Sequence, residues 1–173
     1  SRMDYLSAHM NNQAVALCVE KAMGWEIPER AKVIRTIMAE LQRIASHLLW
    51  WGCIGLDLGA VSPFFYAFRE REMILEIFEE TGGNRLTMNY IIPGGVMTDL
   101  HETFVSKVKE VLAYLKKHSH EYAELLSGNP IFKHRMLGVG VLSARKAVDL
   151  GCCGPVARAS GVRCDVRKAA PYD

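Results

Sequence analysis

Apolar positions along the chain recur mostly at helical spacing. Ile34, Ile37, Met38, Leu41, Ile44, Ala45 and Leu48 fall three and four residues apart and make one stripe of a long helix. Pro28 opens that helix, where its missing N–H costs nothing, and the pattern runs to about Cys53. An earlier helix is predicted from Asp4 to Met23, stopped by Gly24. A third begins at Pro63 and ends at Gly82-Gly83. Residues 89–92 read as short and β-like, and Pro93-Gly94-Gly95 must turn. Asp99 with Glu102 resembles a capping box, so a fourth helix is expected from there. Phe104, Val108, Val111, Leu112, Leu115, Tyr122 and Leu125 carry its apolar face to Ser127-Gly128, and Asn129-Pro130 breaks it. Residues 131–141 read as irregular, Ser143 caps a short helix to Leu150, and the chain from Gly151 onward reads as extended loop. The expectation is a mostly α bundle with short extended segments, in a single domain over residues 1–173.

Composition narrows this further. The 173 residues are 50% hydrophobic, which suits one sizeable core and argues against disorder. The formal charge is +2 and no Lys/Arg run interleaves with aromatics, so nothing argues for a nucleic-acid partner. The five cysteines (Cys18, Cys53, Cys152, Cys153, Cys164) are odd in number and lack CxxC spacing. That fits free thiols in a reducing compartment better than disulfides or zinc. The apolar run at residues 48–56 is too short for a bilayer, which needs ~20 residues. Trp50, Trp51, Phe64 and Phe65 give the chain aromatic surface that an assembly would cover. Neither end reads as that of a complete protein, and the chain reads as a piece of something longer.

Several groups are candidates for chemistry. Asp57 closes the apolar run before Pro63-Phe64-Phe65. A carboxylate there is expected to lose hydration, so it is either a structural turn residue or a proton-handling one. Glu40, Arg43 and His47 share a helix face, either as an intrahelical salt bridge beside a solvated histidine or as a buried network. Arg69-Glu70-Arg71-Glu72 reads as solvated or interface charge. Cys152-Cys153 read as core or loop thiols, and His118 and His120 point to different sides of a helix. Pro93-Gly94-Gly95 is too short for a phosphate loop, and no GxGxxG is present, so this chain alone gives no sign of NAD binding. Tyr5, with an ordinary pKa of about 10, is by itself a packed aromatic with a wet tip.

A set of separated motifs carries a resemblance over essentially the whole chain. They are Arg2-x-Asp4-Tyr5, Asn11-Asn12, Val19-Glu20-Lys21, Glu40-Leu41-x-Arg43 with His47, Leu56-Asp57-Leu58-Gly59-Ala60, Pro63-Phe64-Phe65, Glu70-Arg71-Glu72 and Pro93-Gly94-Gly95-Val96. They continue with Gly154, Ala159-Ser160-Gly161, Asp165-x-Arg167-Lys168 and Pro171-Tyr172. In this order they resemble the 49-kDa-type (D-type) component of respiratory complex I, the part of NADH–quinone oxidoreductase that forms the quinone site. The resemblance implies the central part of a longer chain, with a helical bundle of the [NiFe]-hydrogenase large-subunit type. The first hydrogenase cysteine pair would fall near Asp4 and Ser7, so half of a thiolate nickel site is missing.

The same resemblance implies site residues. Tyr5 would hydrogen-bond the quinone headgroup. Asp57 would pair with a second headgroup ligand, a histidine upstream of this chain. Arg2 would lie beside the terminal iron–sulfur cluster of the neighbouring B subunit. Thr87, in Arg85-Leu86-Thr87, stands where many members carry a cluster-side histidine, and it cannot titrate. No cofactor or metal would be bound by this chain, and quinone would be its substrate. Implied partners are the B and C subunits of the peripheral arm and the membrane-embedded component of the quinone channel. The implied location is peripheral, on the cytoplasmic side of a bacterial inner membrane, and the isolated piece would be inactive. Two other readings stand beside this one: a hydrogenase-like large subunit of a membrane-bound complex, and a helical assembly scaffold with no site.

Overall fold

The computed structural model describes residues 3–171. It is mostly helical, with one small hairpin. The order is α1 (Ala8–Met23), α2 (Glu29–Asp57), α3 (Ser62–Gly82), β1 (Ile91–Ile92), β2 (Gly95–Val96), α4 (Phe104–Tyr122) with a π-helical turn (Ala123–Ser127), α5 (Pro130–Met136), α6 (Ala144–Asp149), α7 (Gly154–Ala159) and α8 (Val166–Ala169). Contacts divide the chain into two compact units, residues 1–128 and 129–173.

In the first unit α2 and α3 pack against each other along most of their length. Gly52 and Gly55 allow the approach. A Cβ at Gly52 would lie 3.1 Å from the Phe64 backbone, and one at Gly55 2.9 Å from Pro63. Met38, Ile74, Phe78, Met88, Tyr90 and Ile91 fill the core between α2, α3 and the hairpin. The hairpin pairs Ile91 with Val96 and Ile92 with Gly95. Pro93 leads its turn and Gly94 takes φ +97°, a value that suits glycine.

A buried ion pair fixes this hairpin. Arg35 is fully buried on α2 and grips Glu20 of α1 through two bonds, Nη1 to Oε2 at 3.0 Å and Nη2 to Oε1 at 2.5 Å. Its Nε donates to the Gly95 carbonyl at 3.1 Å and its Nη2 to that of Ile92 at 2.8 Å. The Gly94 N–H returns a bond to Glu20 at 2.8 Å. The Arg35 hydrogen bonds hold the Glu20 carboxyl below its ordinary range.

Four expectations change. Helix α1 starts at Ala8, not Asp4, because Asp4 takes φ +48° and builds a turn. Helix α2 runs on to Asp57, since Gly52 and Gly55 stay helical while admitting α3. Helix α4 starts at Phe104, not Asp99, because the Asp99 carboxylate is used by Arg30 at 2.8–3.1 Å instead of capping. Residues 130–136 and the segment after Gly151 are not wholly irregular. In the second unit Asn129 caps α5 by accepting from the Ile131 N–H at 2.8 Å, so Pro130 starts a helix there. Ser143 caps α6, Pro155 stands in the first turn of α7, and Asp165 caps α8. Ala147 and Ala157 are the buried residues of α6 and α7, which contact each other.

His9 is the least expected core residue. It is fully buried, edge-on to Phe78 at 4.8 Å and Tyr90 at 6.4 Å, and neither ring nitrogen has a hydrogen-bond partner. Burial pushes its pKa down to about 4.

The lowered His9 pKa favours the neutral ring, so its contribution is complete above ~6.5 and is lost as pH falls towards 4. Up to about 3 kcal/mol is at stake, and His9→Leu should flatten a urea-melt pH profile in that window while leaving the loss below it. Arg35→Met should cost about 3–5 kcal/mol by stranding Glu20, and adding Glu20→Met should restore part of that in the same melts.

Candidate functional site

The segment that carries Tyr5 is held by short-range chemistry. Asp4 accepts from the Leu6 N–H at 3.0 Å and from the Ser7 hydroxyl at 2.5 Å, an arrangement that lets an aspartate occupy a left-handed backbone. These bonds, led by that from Ser7, lower the Asp4 pKa. Gln42 of α2 donates to the Leu6 carbonyl at 2.9 Å and ties the segment to the bundle. Between these two anchors Tyr5 projects, with 55% of its surface open. Neither Asp4 nor Gln42 was singled out from sequence as holding Tyr5. The Asp-Tyr-x-Ser spacing of a local turn was the available signal for the first.

Asp57 is the last residue of α2 and is exposed. The expected desolvation does not occur, because the apolar run before it turns its buried side to α3 while the helix end stays at the surface. The following turn closes through Gly59 N–H to Leu56 and Ala60 N–H to Gly55, at 2.9 and 2.8 Å. A carboxylate here opposes the negative end of the helix dipole, and no basic residue stands in the last turn. Among the described residues no ion pair holds Asp57 and no hydrogen bond joins it to Tyr5. Thr87 is half-buried in the loop between α3 and β1. Arg2 lies outside the described residues.

Other candidates sort plainly. Glu40 and Arg43 form an intrahelical salt bridge at 3.0 Å, with His47 exposed. His118 stacks on Tyr114 at 4.0 Å, and His120 is exposed. Trp50 and Phe65 are open, whereas Trp51 packs edge-on to Tyr122 at 5.0 Å. All five cysteines are free, and among the described residues no cluster of His, Cys, Asp or Glu is placed to hold a metal ion. No helix among them is long and apolar enough to cross a membrane. An apolar groove of about 350 Å³ between α2 and α4, lined by residues such as Ile37, Leu41, Phe104 and Val108, includes Glu40 but neither Tyr5, Asp57 nor Thr87.

The charged run Arg69-Glu70-Arg71-Glu72 corrects its expectation of solvated or interface charge. Arg69 and Glu72 are at least partly open, but Glu70 and Arg71 are buried. The reason is the core stripe of α3, in which Ala67, Glu70, Arg71, Ile74, Leu75 and Phe78 stand three and four apart. Glu70 accepts from Arg69 at 2.5 and 3.1 Å. Beside it the Tyr122 hydroxyl is pushed up in pKa, first by burial and then by the Glu70 charge.

Residues 57–173 match the family model described as the 49 Kd subunit of respiratory-chain NADH dehydrogenase. The chain is 56% identical over 171 residues to the C/D subunit of NADH-quinone oxidoreductase from Bacteroides fragilis, covering 99% of this chain and 32% of that protein. It is 49% identical over 171 residues to the D-type subunit of the NADH-quinone oxidoreductase from Bacillus cytotoxicus, covering 99% and 47%. Against the corresponding Bacillus anthracis protein the identity is 51%, with the same coverage. The chain thus spans between a third and a half of the length of the curated relatives it matches. It belongs to the 49 Kd subunit family of the respiratory-chain NADH dehydrogenase.

Proposed function

We propose that this chain forms one wall of the quinone-reduction chamber of a proton-translocating NADH–quinone oxidoreductase. The observation that carries this is Tyr5, an exposed hydroxyl on a segment fixed by Asp4 and Gln42. A positioned donor that no internal contact needs is suited to a ligand. Quinone reduction consumes two electrons and two protons. Tyr5 would donate a hydrogen bond to one headgroup oxygen and can supply a proton to it.

Asp57 supports the same reading. A carboxylate placed against the helix dipole, with no ion-pair partner among the described residues, breaks a local stability rule, as site residues often do. It would hold the imidazolium of a histidine upstream of this chain and keep that ring oriented as the second headgroup ligand. A terminal iron–sulfur cluster in the B subunit would supply the electrons, with Thr87 on the side facing it. Among the described residues of this chain no group of His, Cys, Asp or Glu is placed to hold such a cluster, so the chain itself would not carry it. The B and C subunits and a membrane-embedded quinone-channel component would be its neighbours, on the cytoplasmic side of a bacterial inner membrane.

The test is Tyr5→Phe in the intact enzyme. The ring and its packing stay, and the hydroxyl goes. NADH oxidation with ferricyanide should be unchanged, while NADH oxidation with quinone should fall on the order of tenfold or more, within the range of a positioned proton donor. Equal loss in both assays would mean a structural Tyr5, and no loss in either would remove it from the site. Asp57→Asn keeps the shape and removes the charge. It should slow quinone reduction while leaving assembled enzyme at wild-type levels on native gels. Wild-type turnover in that variant would leave Asp57 a turn residue.

A further inference from the structure

Arg71 is a charged side chain with no visible purpose inside the fold. Only 5% of the residue is exposed, and its Nε is enclosed without a hydrogen-bond partner. Among the described residues it makes no ion pair and no hydrogen bond. The two carboxylates next to it in sequence are taken by other arginines: Glu70 by Arg69, and Glu72 by Arg85. A buried guanidinium keeps its charge at any physiological pH. Left without an acceptor, it is costly to keep inside a fold. A fold retains such a group where something outside it completes the contact.

Its surroundings say what kind of acceptor fits. Phe64, Phe68 and Arg71 stand at i, i+4 and i+7 on α3, so they share one face. Phe64 and Phe68 stack at 4.2 Å, and the Arg71 guanidinium carbon lies 5.6 Å from the Phe68 ring centre. The stripe starts just after the turn that follows Asp57 and covers about 10 Å of helix axis. Burial lowers the Arg71 pKa, and the Glu72 charge opposes that shift without a bond to the guanidinium. An aromatic wall ending in a cation that lacks a hydrogen-bond acceptor suits a flat ring that bears a carbonyl oxygen and gains negative charge.

Resting on the reading of this chain as a wall of the quinone chamber, we propose that Arg71 is a quinone-binding residue that donates a charge-assisted hydrogen bond to a headgroup oxygen. The terminal nitrogens make the contact, since Nε is enclosed. The bond strengthens as electrons arrive, because the oxygen then carries more negative charge. Arg71 supplies no proton. It holds the oxygen in place until one is delivered.

The experiment uses the intact enzyme with Arg71→Gln and Arg71→Lys, assayed with a short-chain quinone and separately with ferricyanide. For Arg71→Gln the expected result is unchanged ferricyanide activity with a roughly ten- to hundredfold loss in kcat/KM for quinone, the size expected for a lost hydrogen bond to a charged donor. Arg71→Lys should recover part of it, because a point charge replaces the planar fork. Wild-type quinone kinetics in Arg71→Gln overturn the proposal. So does loss of assembled enzyme in both variants, which would assign Arg71 to a carboxylate on a neighbouring chain. Tyr5→Phe measured in parallel separates the two claims. If it slows quinone reduction while Arg71→Gln does not, only the Arg71 assignment fails. If Tyr5→Phe is silent and Arg71→Gln is not, the quinone contact stands on Arg71 and the role of Tyr5 falls.

Discussion

The Glu20–Arg35 pair is the contact on which the arrangement of the first unit depends. One guanidinium on α2 meets one carboxylate on α1, and both then bond the hairpin backbone at Ile92, Gly94 and Gly95. A two-residue-per-strand hairpin cannot hold itself in water. Here its turn is nailed to two helices by charge-assisted hydrogen bonds, which are stronger and more directional than neutral ones. The hairpin in turn carries Tyr90 and Ile91 into the core, where they meet Phe78 and His9. Desolvating the pair is costly, but leaving either partner alone would cost more.

The second organising contact is the glycine-mediated approach of α2 and α3. Gly52 and Gly55 bring Phe64 and Pro63 against the helix backbone, which fixes where α2 ends and where the next turn must run. Asp57 is thereby placed at the surface, at the electronegative end of a 29-residue helix. From the same junction α3 carries the Phe64–Phe68–Arg71 face away. The junction thus links a carboxylate, an aromatic stack and a cation through backbone geometry alone.

Polar groups left unsatisfied in the core share a pattern. His9 lacks any hydrogen-bond partner, Gln42 uses its amide nitrogen but not its oxygen, Glu70 uses one carboxylate oxygen, and Arg71 uses none of its donors. Buried polar atoms are normally paired, so each exception needs a reason. For His9 the aromatic edges of Phe78 and Tyr90 supply packing in place of a bond. Gln42 anchors the Tyr5 segment through its one bond. Glu70 sits beside the buried Tyr122 hydroxyl. Arg71 lies over the Phe68 ring but has no ion pair or hydrogen bond among the described residues.

The sequence by itself determined the three long helices that open the chain, the turn at Pro93-Gly94, the long helix after it and the family, because those depend on local spacing and on residues in a fixed order. Pro28, Gly24 and Gly83 mark ends through backbone preferences that act within a few residues. The motifs around Tyr5 and Asp57 were legible, but the physical state of these residues was not. Only the tertiary structure decided that Asp57 is hydrated, since its apolar neighbours face α3 and it does not. Only packing showed that Glu70 and Arg71 are buried, because four charges in a row look solvated until the α3 stripe is laid against its neighbours. Asp99 was read as a cap and became the partner of Arg30, a residue 69 positions away. The helix capped by Ser143 was legible, but α5, α7 and α8 were missed because a cap and a proline carry the same letters as a break. Burial, ion pairing and unmet hydrogen bonds all depend on which distant residues meet, and no window along the chain contains that.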